Sequence, residues 1–288
     1  MNSRIAIVSD SHGNATALKA VIRDALEQKA AEFWSLGDIG FGGGANSKEC
    51  FELLAQQNTT QFLMGNWEAS YNEVLTKKVF NINDPSDVYF VMLAKYEYEH
   101  LGSYWNQRLL KLPLTAQKQR YNRIFSLTHN LPTKNYGPAL QPTQPQANFD
   151  QLTLDPKVDV ALYGHTHTPI WRYTQQGQLI LNPGSVGEIF FSRTRLMQNR
   201  SASYLLLTVT AEGITEVDFR RVPYDGEIEL KKAAAQNFPY MELYQKNVQT
   251  GKIETHNQPL LKKINEELGY RRVAQEFITS LQSIQVDH

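Results

Sequence analysis

The sequence predicts an α/β protein whose first part is a parallel sheet with crossover helices. Two observations carry this reading. Strand-like and helix-like runs alternate three times in the first 70 residues, and each strand-like run ends on small or polar residues. After about residue 168 the pattern changes to runs separated by Gly-containing turns, which read as antiparallel hairpins.

Each element has its own signal. "RIAIV" is a β-branched run ending at Ser9-Asp10, and Asn14 is a good N-cap for a helix with Leu18, Val21, Ile22, Ala25 and Leu26 at helical spacing. "EFWSL" and "TQFLM" repeat the strand theme, with the helix "KECFELLAQQ" between them. Such a βαβαβ unit places its site at the carboxyl ends of strands, which here read Asp10-Ser11-His12, Gly37-Asp38 and Gly65-Asn66. Residues 69 to about 112 read as helical and aromatic-rich, a cap on the sheet or the wall of a cleft. "RIFSLTH" reads as a fourth strand ending at His129, and "VDVALYGHTH" as a fifth. Five of the twelve prolines fall between Pro132 and Pro156, which marks an irregular surface loop. From about Asp225 the chain is polar and helical. The expected division is a domain over 1–225 and a C-terminal helical extension over 226–288, packed outside the core.

Composition bounds the function. Across 288 residues, 41% hydrophobic content is enough for a real core. Lys plus Arg (29) balances Asp plus Glu (29), so no global basic field attracts long nucleic acid. The single cysteine, Cys50, cannot form an internal disulfide and sits among apolar helix positions, which fits a buried thiol in a reducing compartment. The first apolar run is too short for a secretory segment, and no stretch approaches the ~20 apolar residues of a membrane span. The expectation is a cytoplasmic protein with no membrane partner.

The polar residues that follow strands are Asp10, His12, Asp38, Asn66, His129, His165 and His167. Carboxylates, imidazoles and an amide form the donor set that binds manganese, iron or zinc. Singly, each has a plainer reading: the aspartates as helix N-caps, Asn66 as a helix start, His129 as a hydrogen-bonded core residue. His165 and His167, one residue apart in an extended turn, are the most specific pair. His100, His256 and His288 lie outside any motif and read as solvated.

The ordered motifs "DSH", "GDIGFGG", "GNWE", "LTH" and "GHTH", over roughly residues 5–168, resemble the calcineurin-like metallophosphoesterases. "GHTHTP", "LNPGSVG" and "SASYLLL" look like the small prokaryotic phosphodiesterase branch. The resemblance implies a four-layer αββα sandwich of two mixed β-sheets and two divalent metal ions, manganese first, with iron, zinc or nickel as alternatives. Asp10, His12 and His167 would hold one ion and Asn66, His129 and His165 the other, with Asp38 bridging. Asp38, Asn66 and His165 would also serve catalysis, in which a metal-bound hydroxide attacks a small phosphodiester or phosphoanhydride. Gly42-Gly43-Gly44 would let the loop after Asp38 pass close to the site.

Trp67 stands where the resembled pattern often carries a histidine that assists the leaving oxygen. An indole donates one N–H but supplies no proton in neutral water. Three readings stay open: a substrate with a good leaving group and Trp67 as a platform for its ring; assistance from Tyr71 or from Arg193, Arg195 or Arg200; or a catalytically weak fold serving as a scaffold, as in the similar retromer subunit. The C-terminal helices read as a structural cover, with homo-oligomer formation or partner docking as the alternative.

Overall fold

The computed structural model describes residues 3–77 and 80–283. One five-stranded sheet is built from β1 (Ser3–Val8), β2 (Glu32–Ser35), β3 (Thr59–Phe62) and, far along the chain, β9 (Ala202–Thr210) and β10 (Gly213–Val222). The other contains β4 (Thr115–Arg120), β5 (Arg123–Thr128), β6 (Val160–Leu162), β7 (Ile170–Tyr173) and β8 (Leu179–Asn182). The strand orders are β10-β9-β1-β2-β3 and β4-β5-β6-β8-β7. Both sheets are mixed: β1-β2-β3 and β5-β6-β8 run parallel, and the outer pairs antiparallel.

Alternation along β1 explains the layering. Ile5 and Ile7 point into a cluster between the sheets with Trp34, Leu127, Leu162, Leu205 and Leu207, while Ala6 and Val8 face the helices. On that helical side lie α1 (Ala15–Glu27), α2 (Ser47–Ala55), α3 (Asn66–Lys77), α4 (Pro85–Leu101) and α5 (Ser103–Leu109). The opposite layer is thin, consisting of α6 (Gln146–Asp150) and two 3-10 turns that bury Leu140, Phe149 and Leu152 against the outer face of the second sheet. This is the αββα sandwich of two mixed sheets that the motifs imply. Asn14 caps α1 by accepting the Ala17 N–H, and Cys50 is fully buried, which pushes its thiol well up.

Two expectations need correcting. The strand before "RIFSLTH" is absent from the sequence reading, yet β4 pairs with β5 along its whole length. Its "TAQKQR" places only Ala116 against the core between the sheets, and its charged side chains protect the open backbone of an edge strand. The C-terminal helices α7 (Gly226–Ala235), α8 (Met241–Thr250), α9 (Gln258–Glu267) and α10 (Tyr270–Ser283) are not outside the core. Leu230, Tyr244, Leu261, Ile264 and Phe277 are buried in the same cluster as α1 and α4. Buried Glu229 in α7 fastens them, accepting from the Thr16 N–H and hydroxyl and from Asn46 and Tyr244.

Candidate metal centre

The carboxyl ends of β1, β2, β3, β5 and β6 deliver all seven predicted side chains to one place. Asp10, His12 and His167 offer donor atoms within 4.8 Å of one another, and so do Asp38, His129 and His165. Asn66 joins the second group: its Oδ1 lies 3.1 Å from His129 Nε2 and 2.7 Å from His165 Nδ1. Asp38 Oδ2 sits 3.2 Å from His129 Nε2 and 3.9 Å from His12 Nε2, so it stands between the groups.

The backbone is strained to achieve this. Asp10, His12, Asp38, His165 and His167 all have φ between 47° and 63°, the left-handed region that L-residues avoid. Close approach adds a second demand. A Cβ on Gly65 would fall 1.9 Å from Asp38 Oδ1, so no other residue fits beside that carboxylate.

The imidazoles are aimed. His12 Nδ1 faces the Phe41 carbonyl at 3.1 Å and His129 Nδ1 the Leu36 carbonyl at 2.8 Å. Each carbonyl favours an Nδ1–H tautomer and turns an Nε2 lone pair toward the centre, as the outer partners of metal-binding histidines do. Glu68, which the sequence reading passed over, holds the two loops together. Its buried carboxylate accepts from the backbone N–H groups of Asp38 and Gly65 on one oxygen and of Ile39 and Gly40 on the other. Burial and the nearby Asp38 charge push its carboxyl up to about 8, against the pull of those donors.

The centre fits divalent cations on its own evidence. Asp10 Oδ1 is fully buried and has no hydrogen-bond partner, yet three imidazole Nε2 atoms surround it at 3.3 Å (His167), 3.8 Å (His12) and 3.9 Å (His129). His12 Nε2 and His167 Nε2 approach to 3.1 Å. Two ring nitrogens and a bare carboxylate oxygen converging on one point form a donor set looking for a cation. Without one, protons substitute: burial opposes the His129 cation, but Asp38 beside it prevails and raises that imidazole to about 9. His165, buried and next to His129, is lowered to about 4.

Beside the centre lies a cleft of about 470 Å³, lined by Asp38, Asn66, His165, His167, Trp67, Phe90, Glu188, Phe190, Ile253 and His256 among others. Trp67 is half-buried, stacked on Phe90 at 5.0 Å, edge-on to Phe41, and close against Gly42. It is a packed wall of the cleft rather than a free platform. The glycine loop passes close to the site: a Cβ on Gly44 would meet the backbone carbonyl oxygens of His12 and Gly13 at 2.7 Å.

The alternative helpers are elsewhere. Tyr71 is buried, and its hydroxyl donates to Asn106. Arg193, Arg195 and Arg200 are exposed, and none lines the cleft. The segment after residue 69 contributes Phe90 to the cleft, while most of α4 is buried in the helical layer. His100 stacks on Tyr96, and His288 lies outside the described residues. His256, read as solvated, is exposed but borders the cleft; no pattern in the sequence pointed to it.

The family model for the calcineurin-like phosphoesterase superfamily domain matches residues 4–212, and the chain belongs to that superfamily. An uncharacterized protein of Methanocaldococcus jannaschii is 27% identical over 201 residues, 65% of this chain and 71% of that one. Among solved structures, a hypothetical protein of Pyrococcus horikoshii has 20% identity and a TM-score of 0.67, covering 87% of this chain and 99% of its own. A metallophosphoesterase of Sphaerobacter thermophilus has 21% identity and a TM-score of 0.62, covering 86% and 100%. These likenesses show the shared fold. The family match ends before α7, so the C-terminal helices lie beyond it.

Proposed function

We propose that this chain is a metal-dependent hydrolase of a small phosphodiester or phosphoanhydride. The observation that carries the reading is the buried, partnerless Asp10 Oδ1 at the focus of His12, His129 and His167. Asp10, His12 and His167 would hold one divalent ion and Asn66, His129 and His165 a second, with Asp38 shared between them. When bound, such ions supply an activated water and neutralise phosphate charge. The chain's own residues set the rest. The carbonyls of Phe41 and Leu36 orient two imidazoles, and Glu68 keeps the Asp38 and Asn66 loops in register.

Charge and shape favour a small substrate. No lysine or arginine lines the cleft among the described residues, so phosphate attraction would come from the centre alone. Phe90, Phe190, Trp67 and Ile253 offer apolar surface for the organic part of an ester. No helix among the described residues is long and apolar enough to cross a membrane. The test is hydrolysis of an aryl phosphodiester in the presence of Mn²⁺. Turnover should vanish with chelator and with Asp38→Asn; inactivity of the metal-loaded parent chain across a broad ester and anhydride panel would refute the proposal.

A further inference from the structure

Phosphoester hydrolysis with an alcohol leaving group needs a proton for the departing oxygen, and the cleft can be searched for a group able to give one. Trp67 has only an indole N–H. Gln141 is an amide, and Thr166 and Thr255 are hydroxyls. Asp38, Asn66, His165 and His167 belong to the metal centre. Glu188 accepts a hydrogen bond from Asn247 in α8. One imidazole in the cleft wall remains, His256. It is exposed, and its ring has no hydrogen-bond partner among the described residues.

The turn that carries His256 is held in place. His256 sits in the connection between α8 and α9, two residues after Glu254, whose side chain is buried. That carboxylate accepts from Lys246 at 2.6 Å, Lys252 at 2.7 Å and Asn257 at 2.9 Å, and the Glu254 carbonyl accepts the Asn257 N–H at 2.9 Å. Asn257 then caps α9, and Gln258 reaches Asp84 and Ser86 at the start of α4. The two residues flanking the turn are thus tied to α8 on one side and to α4 on the other. These bonds fix the backbone of the turn from which His256 projects into the cleft wall.

We propose that His256, carried by the C-terminal helices, is the catalytic residue that protonates the leaving group, with Glu254 as its positioning residue. This rests on the phosphoester-hydrolysis reading above. In the step, water forms the new bond to phosphorus and releases a proton to solvent. The phosphorus–oxygen bond to the leaving group breaks, and its electron pair stays on that oxygen. The His256 imidazolium passes its ring proton to the same oxygen, the alcohol departs, and the neutral ring regains a proton from solvent.

The experiment compares kcat for phosphodiesters of one acyl-free core with 4-nitrophenol, phenol and an alkyl alcohol as leaving groups, using the full chain with Mn²⁺. His256→Gln should lower turnover of the alkyl ester by about 10²- to 10⁴-fold while leaving the nitrophenyl ester within about twofold, since a nitrophenolate departs unaided. Glu254→Gln should show the same selectivity at smaller size. Metal content and unfolding midpoint of His256→Gln should match the parent, unlike Asp38→Asn, which loses metal. An equal loss on all three esters, or no loss on the alkyl ester, overturns the assignment of His256 and leaves the function standing. A parent chain without turnover on any ester overturns both.

Discussion

At pH 9, above the value of about 8 to which its carboxyl is raised, Glu68→Gln should remove about 2–6 kcal/mol of folding stability. The wild-type carboxylate takes two backbone N–H groups on each oxygen, from Asp38 and Gly65 at 2.8 and 2.9 Å and from Ile39 and Gly40 at 2.8 and 3.3 Å. A glutamine keeps the shape but only one acceptor. Its NH₂ must face one of the two N–H pairs, leaving both donors buried and unsatisfied at about 1–3 kcal/mol each. Against a total stability on the order of 5–15 kcal/mol, that is a large share. The damage falls where it matters for chemistry, because those pairs join the loop carrying Asp38 to the loop carrying Asn66. Urea unfolding of the metal-free chain, extrapolated to water, gives the stability, and calorimetric titration with Mn²⁺ gives the affinity. Both should fall. A loss under about 1 kcal/mol with unchanged metal affinity would show that Glu68 does not hold the loops, and the account of how the centre is built would fail.

Two further expectations follow from the protonation of buried groups. His129 is raised to about 9 by Asp38 despite its burial, so at pH 7.5 the metal-free imidazole is protonated and must shed that proton to bind a cation. Metal binding should therefore release protons and strengthen as pH rises toward about 9; titrations in buffers of different ionisation enthalpy check this, and buffer-independent heats would contradict it. Glu97 is buried, with a hydrogen bond from the Ser47 hydroxyl, and its burial pushes the carboxyl from the ordinary 4.5 up to about 8. The folded state then holds a proton that the unfolded chain loses, so the stability linked to Glu97 is full below about pH 4.5 and disappears as pH rises through about 8. Glu97→Gln should be a few kcal/mol more stable than the parent at pH 9 and show a flatter profile between pH 5 and 9, read from unfolding midpoints; parallel profiles would refute it.

The sequence by itself determined which polar residues follow the strands and their order along the chain. A strand ending in a polar residue is a local event, written in adjacent letters, and a parallel sheet brings such ends to one edge wherever the strands fall. For that reason Asp10, His12, Asp38, Asn66, His129, His165 and His167 were all legible, as was the change to antiparallel hairpins after residue 168. The tertiary structure decided what surrounds them. Trp67 lies against Phe90 because α4, some twenty residues further on, packs over it, and against Phe41 from the loop after β2. Glu68 acts through four N–H groups that no periodicity marks, and β4, an edge strand with only Ala116 on the core, carries no apolar alternation to read. His256 enters the cleft wall from a turn about ninety residues after the "GHTH" motif. Contacts of that kind depend on which apolar helix faces meet in the core, and a linear pattern records that each face exists without saying which other face it will cover.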